Sequence, residues 1–263
     1  MPVTEYELRE LDWDTQFFGM KMGQVLLPSK PEPPNFSELA WLHTLDTAQH
    51  ENFQFLYCPI DVAYPEVATI IASHGAMIGD VLVTFVRSCS KDVQKTNSHF
   101  KLMDATQEEL TDILEIAAPS FRDSRFMKDP HFDRAKAEQF YPSWLRESFS
   151  NNEKILVVKE KQQVCGFISL KPDPSTKTLV IRLIAVKSSD QGKGIGQILV
   201  HQAINMAIDL KYHQVQVGTQ LTNTAAINLY EKNGFRMISA KYRYHIWLGT
   251  VFKLQTAERT GAK

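Results

Sequence analysis

The stretch that most constrains this chain is a glycine-rich turn, Gln191-Gly192-Lys193-Gly194-Ile195-Gly196. An apolar run at 179–186 precedes it, and Ile195, Ile198, Leu199, Ala203, Met206 and Leu210 follow at helical spacing. The pattern reads as strand, turn, helix. Glycines allow positive φ and let an anion approach the main chain. The helix start behind them supplies free N–H donors and the positive end of the helix dipole. The turn is a candidate phosphate cradle.

Spacing sets two common cradles aside. A P-loop ends in lysine followed by serine or threonine, which this turn lacks, and the dinucleotide fingerprint G-x-G-x-x-G has its third glycine one residue later. The remaining pattern, Q-x-x-G-x-G, resembles the coenzyme A pyrophosphate loop of the GNAT acetyltransferase superfamily. Taken alone, the turn fits an ordinary tight connection equally well.

A second motif follows in order. Val215 and Val217 alternate with Gln214 and Gln216 as a half-buried strand. Next comes Asn223-Thr224-Ala225-Ala226-Ile227-Asn228-Leu229-Tyr230-Glu231-Lys232-Asn233-Gly234-Phe235, a short helix capped by Thr222 or Asn223 and ended by Gly234. It is similar to the N-x-x-A-x-x-L-Y-x-x-x-G-F pattern of the same superfamily. The resemblance implies an α/β GNAT fold: a mixed, mostly antiparallel central sheet flanked by helices, here with a smaller N-terminal α/β domain. It also implies acetyl-CoA as co-substrate, held by Gln191, Gly192, Lys193, Gly194, Ile195, Gly196 and Asn223.

Attack of an amine on a thioester expels a thiolate. A phenol is protonated at neutral pH and suited to protonate that leaving group. The resemblance places Tyr230 near the coenzyme A sulfur, as general acid; otherwise it reads as an inward-facing amphipathic residue. By the same resemblance, main-chain groups of Ile184, Ala185 and Val186 pair with the pantetheine arm and help hold the thioester carbonyl. The side chains alone fit a buried strand equally well. Asn223 contacts the cofactor by resemblance, although a cap role needs no ligand, and Asn228 reads as solvated.

A chain of 263 residues that is 43% hydrophobic can bury a sizeable core. Its net charge of −1 gives no reason to expect nucleic acid or an anionic membrane as partner. Glu5, Glu7, Arg9, Glu10 and Asp12 argue against a leader or spanning helix. The cysteines Cys58, Cys89 and Cys165 are isolated, and a reducing cytoplasm fits. Scattered histidines and the lack of C-x-x-C or H-x-x-x-H spacing predict no metal. With no G-x-S-x-G elbow either, direct transfer without an acyl-enzyme is the simpler expectation.

The polar stretch at 88–98 divides the chain. The expected parts are an α/β domain at 1–90, a linker at 91–99, the GNAT domain at 100–250 and a polar tail at 251–263, with Tyr242, Tyr244, Ile246 and Leu248 alternating as a final strand. A second resemblance covers most of the chain. Leu11-Asp12-Trp13-Asp14-Thr15-Gln16-Phe17-Phe18-Gly19, the stretches at 55–61 and 80–85, and Ser124-Arg125-Phe126-Met127-Lys128-Asp129-Pro130-His131-Phe132 are similar to the TDP-fucosamine acetyltransferase group. Those enzymes acetylate the amine of a dTDP-linked amino-deoxysugar in cytoplasmic polysaccharide synthesis. A homodimer is a further expectation.

Arg125, Lys128, Asp129 and His131 could supply a cation for a diphosphate and an acceptor for an amine. They fit a solvated turn around Asp129-Pro130 equally well. The sequence picks no general base. Another amine acceptor, such as a peptide N-terminus, an antibiotic or a polyamine, and a non-catalytic acyl-CoA-binding role are the competing readings.

Overall fold

A computed structural model describes residues 6–28, 36–89, 100–151 and 153–249. The expected linker at 91–99 and the tail at 251–263 lie outside them. In chain order the elements are β1 (Glu7–Glu10), α1 (Asp12–Phe18), β2 (Met22–Leu26), α2 (Glu38–His50), β3 (Phe55–Asp61), α3 (Pro65–Ser73), β4 (Met77–Ser88), β5 (Lys101–Asp104), α4 (Leu110–Ser120), α5 (Arg125–Lys128), α6 (Arg134–Ser150), β6 (Lys154–Glu160), β7 (Gln163–Asp173), β8 (Thr178–Val186), α7 (Ile195–Asp209), β9 (Gln214–Gln220), α8 (Thr224–Lys232) and β10 (Arg236–Trp247). Contacts divide the chain into one unit of 1–82 with 240–263 and a second of 83–239.

Local chemistry sets the first unit's elements. Gly19, at φ 70°, ends α1 in the left-handed conformation. Ser37 Oγ accepts from the Ala40 amide at 3.2 Å and starts α2. Pro65 presets the first turn of α3. β1 and β2 are antiparallel, while β2 and β3 are parallel and joined through α2. β3 pairs antiparallel with β10, from Asp61 opposite Lys241 to Phe55 opposite Trp247. Trp41, Leu45, Leu56, Ile60, Ile71 and Ile246 form its core. Each such side chain contributes about 1.5–3 kcal/mol on burial.

In the second unit the strand order is β4-β9-β8-β7-β6-β5. β5 through β8 form antiparallel neighbours, and β8 and β9 are parallel. The parallel pair needs a crossover, which α7 provides. Ile195, Leu199, Val200, Ala203, Ile204 and Ala207 form its buried stripe. Ile113, Ile116, Ala117 and Leu145 of α4 and α6 pack with Phe167, Leu183 and Ala185 of the sheet. The mixed, mostly antiparallel α/β architecture is the expected fold class.

Two stretches of the chain share an order of elements that the sequence reading missed. β2-α2-β3-α3-β4 and β8-α7-β9-α8-β10 each contain a parallel strand pair joined by a helix. Each then has a nine-residue helix and a glycine at positive φ, Gly75 at 83° and Gly234 at 80°. The helix starts differ: Ser37 caps α2, whereas α7 begins at Gly194 with no side-chain cap.

One boundary differs from expectation. The final strand, expected inside 100–250, belongs from Ala240 onward to the first unit, and 83–88 to the second. Pairing with β3 and the buried Arg243–Asp80 ion pair hold β10 there. No helix among the described residues is long and apolar enough to cross a membrane.

Candidate active site

The cradle begins where β8 ends. Gly192 and Gly194 take φ 79° and 82°, which L side chains rarely adopt, and a Cβ built on either meets nothing within 4 Å. Both face open space. Since Gly194 offers no side-chain cap, the first amides of α7 have no capping partner within their own turn. A helix start of this kind accommodates an anion.

The neighbouring residues divide the remaining tasks. Ile195 is buried, so it can meet a ligand only through its main chain. A Cβ on Gly196 would lie 3.2 Å from Leu229 Cδ2, so that glycine lets α8 pack closely on α7. Lys193 Nζ lies 2.6 Å from Asp190, which raises the lysine pKa and lowers that of the carboxyl. The charge of Lys193 is therefore offset within its own loop. Gln191 Nε2 donates to the Val186 carbonyl at 3.4 Å and ties the turn to the strand end.

β8 leaves β9 just before the cradle. Their pairing runs from Thr178 opposite Gln214 to Ile181 opposite Val217, and β8 continues to Val186 paired with β7. The separation begins at a bulge. Opposite β7 the register steps from Leu170–Ile181 to Ser169–Leu183, so Arg182 is the extra residue. Its guanidinium carbon lies 3.9 Å from the Trp144 ring centroid, and its Nη1 lies 3.5 Å from Glu153. Sequence reasoning missed Arg182, although a charge inside the run Leu179-Val180-Ile181-Arg182-Leu183-Ile184-Ala185-Val186 was its signal. Ile184, Ala185 and Val186 lie on the separated segment, where β9 no longer covers that edge.

Tyr230 is buried in α8 between Phe85 and Phe235, with ring centroids 5.9 and 5.8 Å away. Burial pushes its phenol pKa up. Its neighbour Leu229 touches Gly196, and Val186 Cγ2 lies 4.0 Å from the Cβ position of that glycine. Strand end, cradle and tyrosine helix therefore meet at Gly196. Asn223 Oδ1 accepts from the Ala226 amide at 3.1 Å and caps α8, and Asn228 is exposed.

The polar cluster is more ordered than a solvated turn. Ser124 caps α5, which contains Arg125 and exposed Lys128. Arg125 lies over the Phe126 ring at 4.4 Å. The Asp129 side chain is 1% exposed, and its Oδ1 lies 3.0 Å from both the amide and the Nδ1 of His131.

Glu160, Cys165 and Asp190 bring possible metal-ligand atoms within 4.8 Å of one another. Lys193, bonded to Asp190, already supplies a cation there. A hollow of about 320 Å³ among Leu102, Leu156 and Met206 lies beside the C-terminal half of α7 and contains none of the expected site residues.

Residues 110–235, within the second unit, match the acetyltransferase (GNAT) family. The uncharacterized N-acetyltransferase YvbK of Bacillus subtilis is 30% identical over 137 residues, covering 52% of this chain and 74% of YvbK. The chain belongs to the GNAT acetyltransferase family. The spore coat polysaccharide biosynthesis protein SpsD of Bacillus subtilis is 34% identical over 157 residues, 59% of this chain and 53% of SpsD. The dTDP-fucosamine acetyltransferase of Escherichia coli O6:H1 is 22% identical over 257 residues, 92% of this chain and 98% of that enzyme. Among the first curated relatives that it matches, this GNAT chain spans about half the length or less. A GCN5-related N-acetyltransferase of Sphaerobacter thermophilus superposes with a TM-score of 0.62 at 8% identity, covering 88% of this chain and 74% of that one. That likeness bears on the fold.

Proposed function

We propose that the protein is an N-acetyltransferase that moves the acetyl group of acetyl-CoA to the amine of a nucleotide-linked amino-deoxysugar. The observation that carries the reading is the uncapped, glycine-lined start of α7 beside the separated end of β8. A pyrophosphate fits the first, and an extended amide-bearing arm fits the second as an added strand. Acetyl-CoA supplies an activated thioester. Gly192, Gly194 and the first amides of α7 hold the diphosphate, and main-chain groups of Ile184, Ala185 and Val186 align the arm. Tyr230 carries the proton for the leaving sulfur.

The acceptor is supported by the similarity to dTDP-fucosamine acetyltransferase, which extends over both units, and to the polysaccharide biosynthesis protein SpsD. Incubation of acetyl-CoA with the dTDP-linked amino sugar, the free sugar, peptide N-termini and polyamines, with thiol release and product mass measured, tests it. Preferential acetylation of the nucleotide sugar is expected, because remote binding energy holds the amine in line. Equal use of the free sugar, or acetylation of peptides alone, removes the sugar-nucleotide assignment. Acetyl-CoA binding without transfer to any amine removes the enzyme.

A further inference from the structure

We propose that His131, held by Asp129, is the general base that takes the proton from the acceptor amine; this rests on the acetyltransferase reading above. A carboxylate only accepts hydrogen bonds, so in the 3.0 Å contact with Asp129 Oδ1 the imidazole donates through Nδ1–H, and the neutral form of the ring then carries its lone pair on Nε2. The same oxygen accepts the His131 amide, which fixes the imidazole through both its ring and its backbone. The carboxylate is withdrawn from solvent, at 1% exposure, while the imidazole is reachable, at 39%. A buried acid that orients an accessible histidine is the arrangement required of a base.

The fold carries this pair towards the separated end of β8. After residues 151–153, α6 leads into β6, which runs in the same direction as β8 because both are antiparallel to β7. A helix that folds back onto the sheet through so short a connection runs, read backwards, along β8 towards Val186. Trp144 lies over Arg182. From Trp144 to Arg134 the helix rises about 15 Å, and from Arg182 to Val186 the strand advances about 13 Å. These matching lengths allow the start of α6, with His131 just before it, to come level with the strand end at the cradle. Phe126 anchors the loop, with ring centroids 5.1 Å from Phe132 and 4.2 Å from Phe140.

The step balances. The amine lone pair forms the N–C bond at the thioester carbonyl, the C–S bond breaks, and the sulfur receives the Tyr230 proton. The amine proton passes to His131 Nε2. Solvent then returns both side chains to their starting states. Asp129 acts through His131 and is a positioning residue.

The test measures acetyl transfer to dTDP-4-amino-4,6-dideoxygalactose in His131→Ala, His131→Gln and Asp129→Asn, with melting temperature and acetyl-CoA affinity measured alongside. Loss of general-base catalysis lowers kcat by about 100- to 10,000-fold in both His131 variants, with acetyl-CoA affinity unchanged. Added imidazole restores part of the rate in His131→Ala. Asp129→Asn lowers kcat more than it raises KM for the sugar. An active parent enzyme whose His131→Ala variant keeps most of its kcat, or gains nothing from imidazole, overturns the general base and leaves the acetyltransferase standing. A parent enzyme that binds acetyl-CoA but acetylates no amine overturns the reading beneath it.

Discussion

The Arg182 guanidinium carbon lies over the Trp144 ring, 3.9 Å from its centroid, at the residue where β8 has one position more than β7. Burial lowers the pKa of its guanidinium, and the Glu153 carboxylate opposes that shift. The other carboxylate oxygen of Glu153 is buried with no hydrogen-bond partner among the described residues. A cation desolvated to this degree needs both contacts. Both contacts are made by the bulged residue itself, and beyond it β8 no longer pairs with β9.

Arg182→Ala should therefore relax the bulge and strand the Glu153 carboxylate. The expected outcome is a lower melting temperature together with a fall of about tenfold or more in kcat/KM for acetyl-CoA. Arg182→Lys keeps a cation for Glu153 but lacks the planar group that lies on the indole, so it should recover stability more than activity. Activity unchanged in both variants would show that the strand separation needs no help from this side chain.

The cradle glycines separate backbone strain from packing. Gly194→Val places a β-branched residue at φ 82°, on the side where a diphosphate would lie. Calorimetry should show acetyl-CoA affinity reduced at least about tenfold, with a smaller effect on melting temperature because no protein atom is displaced. Gly196→Val meets Leu229 instead and should lower the melting temperature first. Unchanged acetyl-CoA affinity in Gly194→Val removes the cradle assignment.

Much of the second unit was legible because its signals are local. Glycines at 192 and 194 mark positive φ, and apolar spacing marks α7. Asn223 and Gly234 mark the ends of α8. The first unit gave fewer signals. Its repeated order of elements shares no cradle glycines, because Ser37 starts the helix in their place. The assignment of β10 depends on pairing with Phe55–Asp61, nearly two hundred residues earlier, which side-chain alternation cannot reveal. The Asp129–His131 pair was visible as polar residues, but its order depends on burial of the carboxylate, a property of the folded loop.

Glu109 ties the start of α4 to the sheet. Its carboxylate bonds Lys159 on β6 and accepts from the Thr106 amide at 2.7 Å and hydroxyl at 2.6 Å, which hold its pKa at about 2. A folded value below the ordinary 4.5 means that the stabilisation is complete above that ordinary value and is lost as pH falls from there towards 2. Thermal melting across this range should show a steeper loss in the parent than in Glu109→Gln. Parallel curves would place the acid sensitivity elsewhere.

Tyr230 provides the sharpest separation of chemistry from packing. Its ring packs against Phe85 and Phe235, so Tyr230→Phe removes one oxygen and keeps both ring contacts. Stability and acetyl-CoA affinity should stay close to those of the parent. If the phenol protonates the leaving thiolate, kcat should fall by about 100- to 10,000-fold where chemistry limits turnover. Burial raises the phenol pKa, so the acid form persists beyond the ordinary phenol range, and loss of this donor should not limit activity in mildly alkaline solution. Calorimetry together with the pH profile of kcat checks both statements. A Tyr230→Phe enzyme with normal turnover and weakened acetyl-CoA binding would make the tyrosine a packing residue and leave the sulfur to take its proton from water.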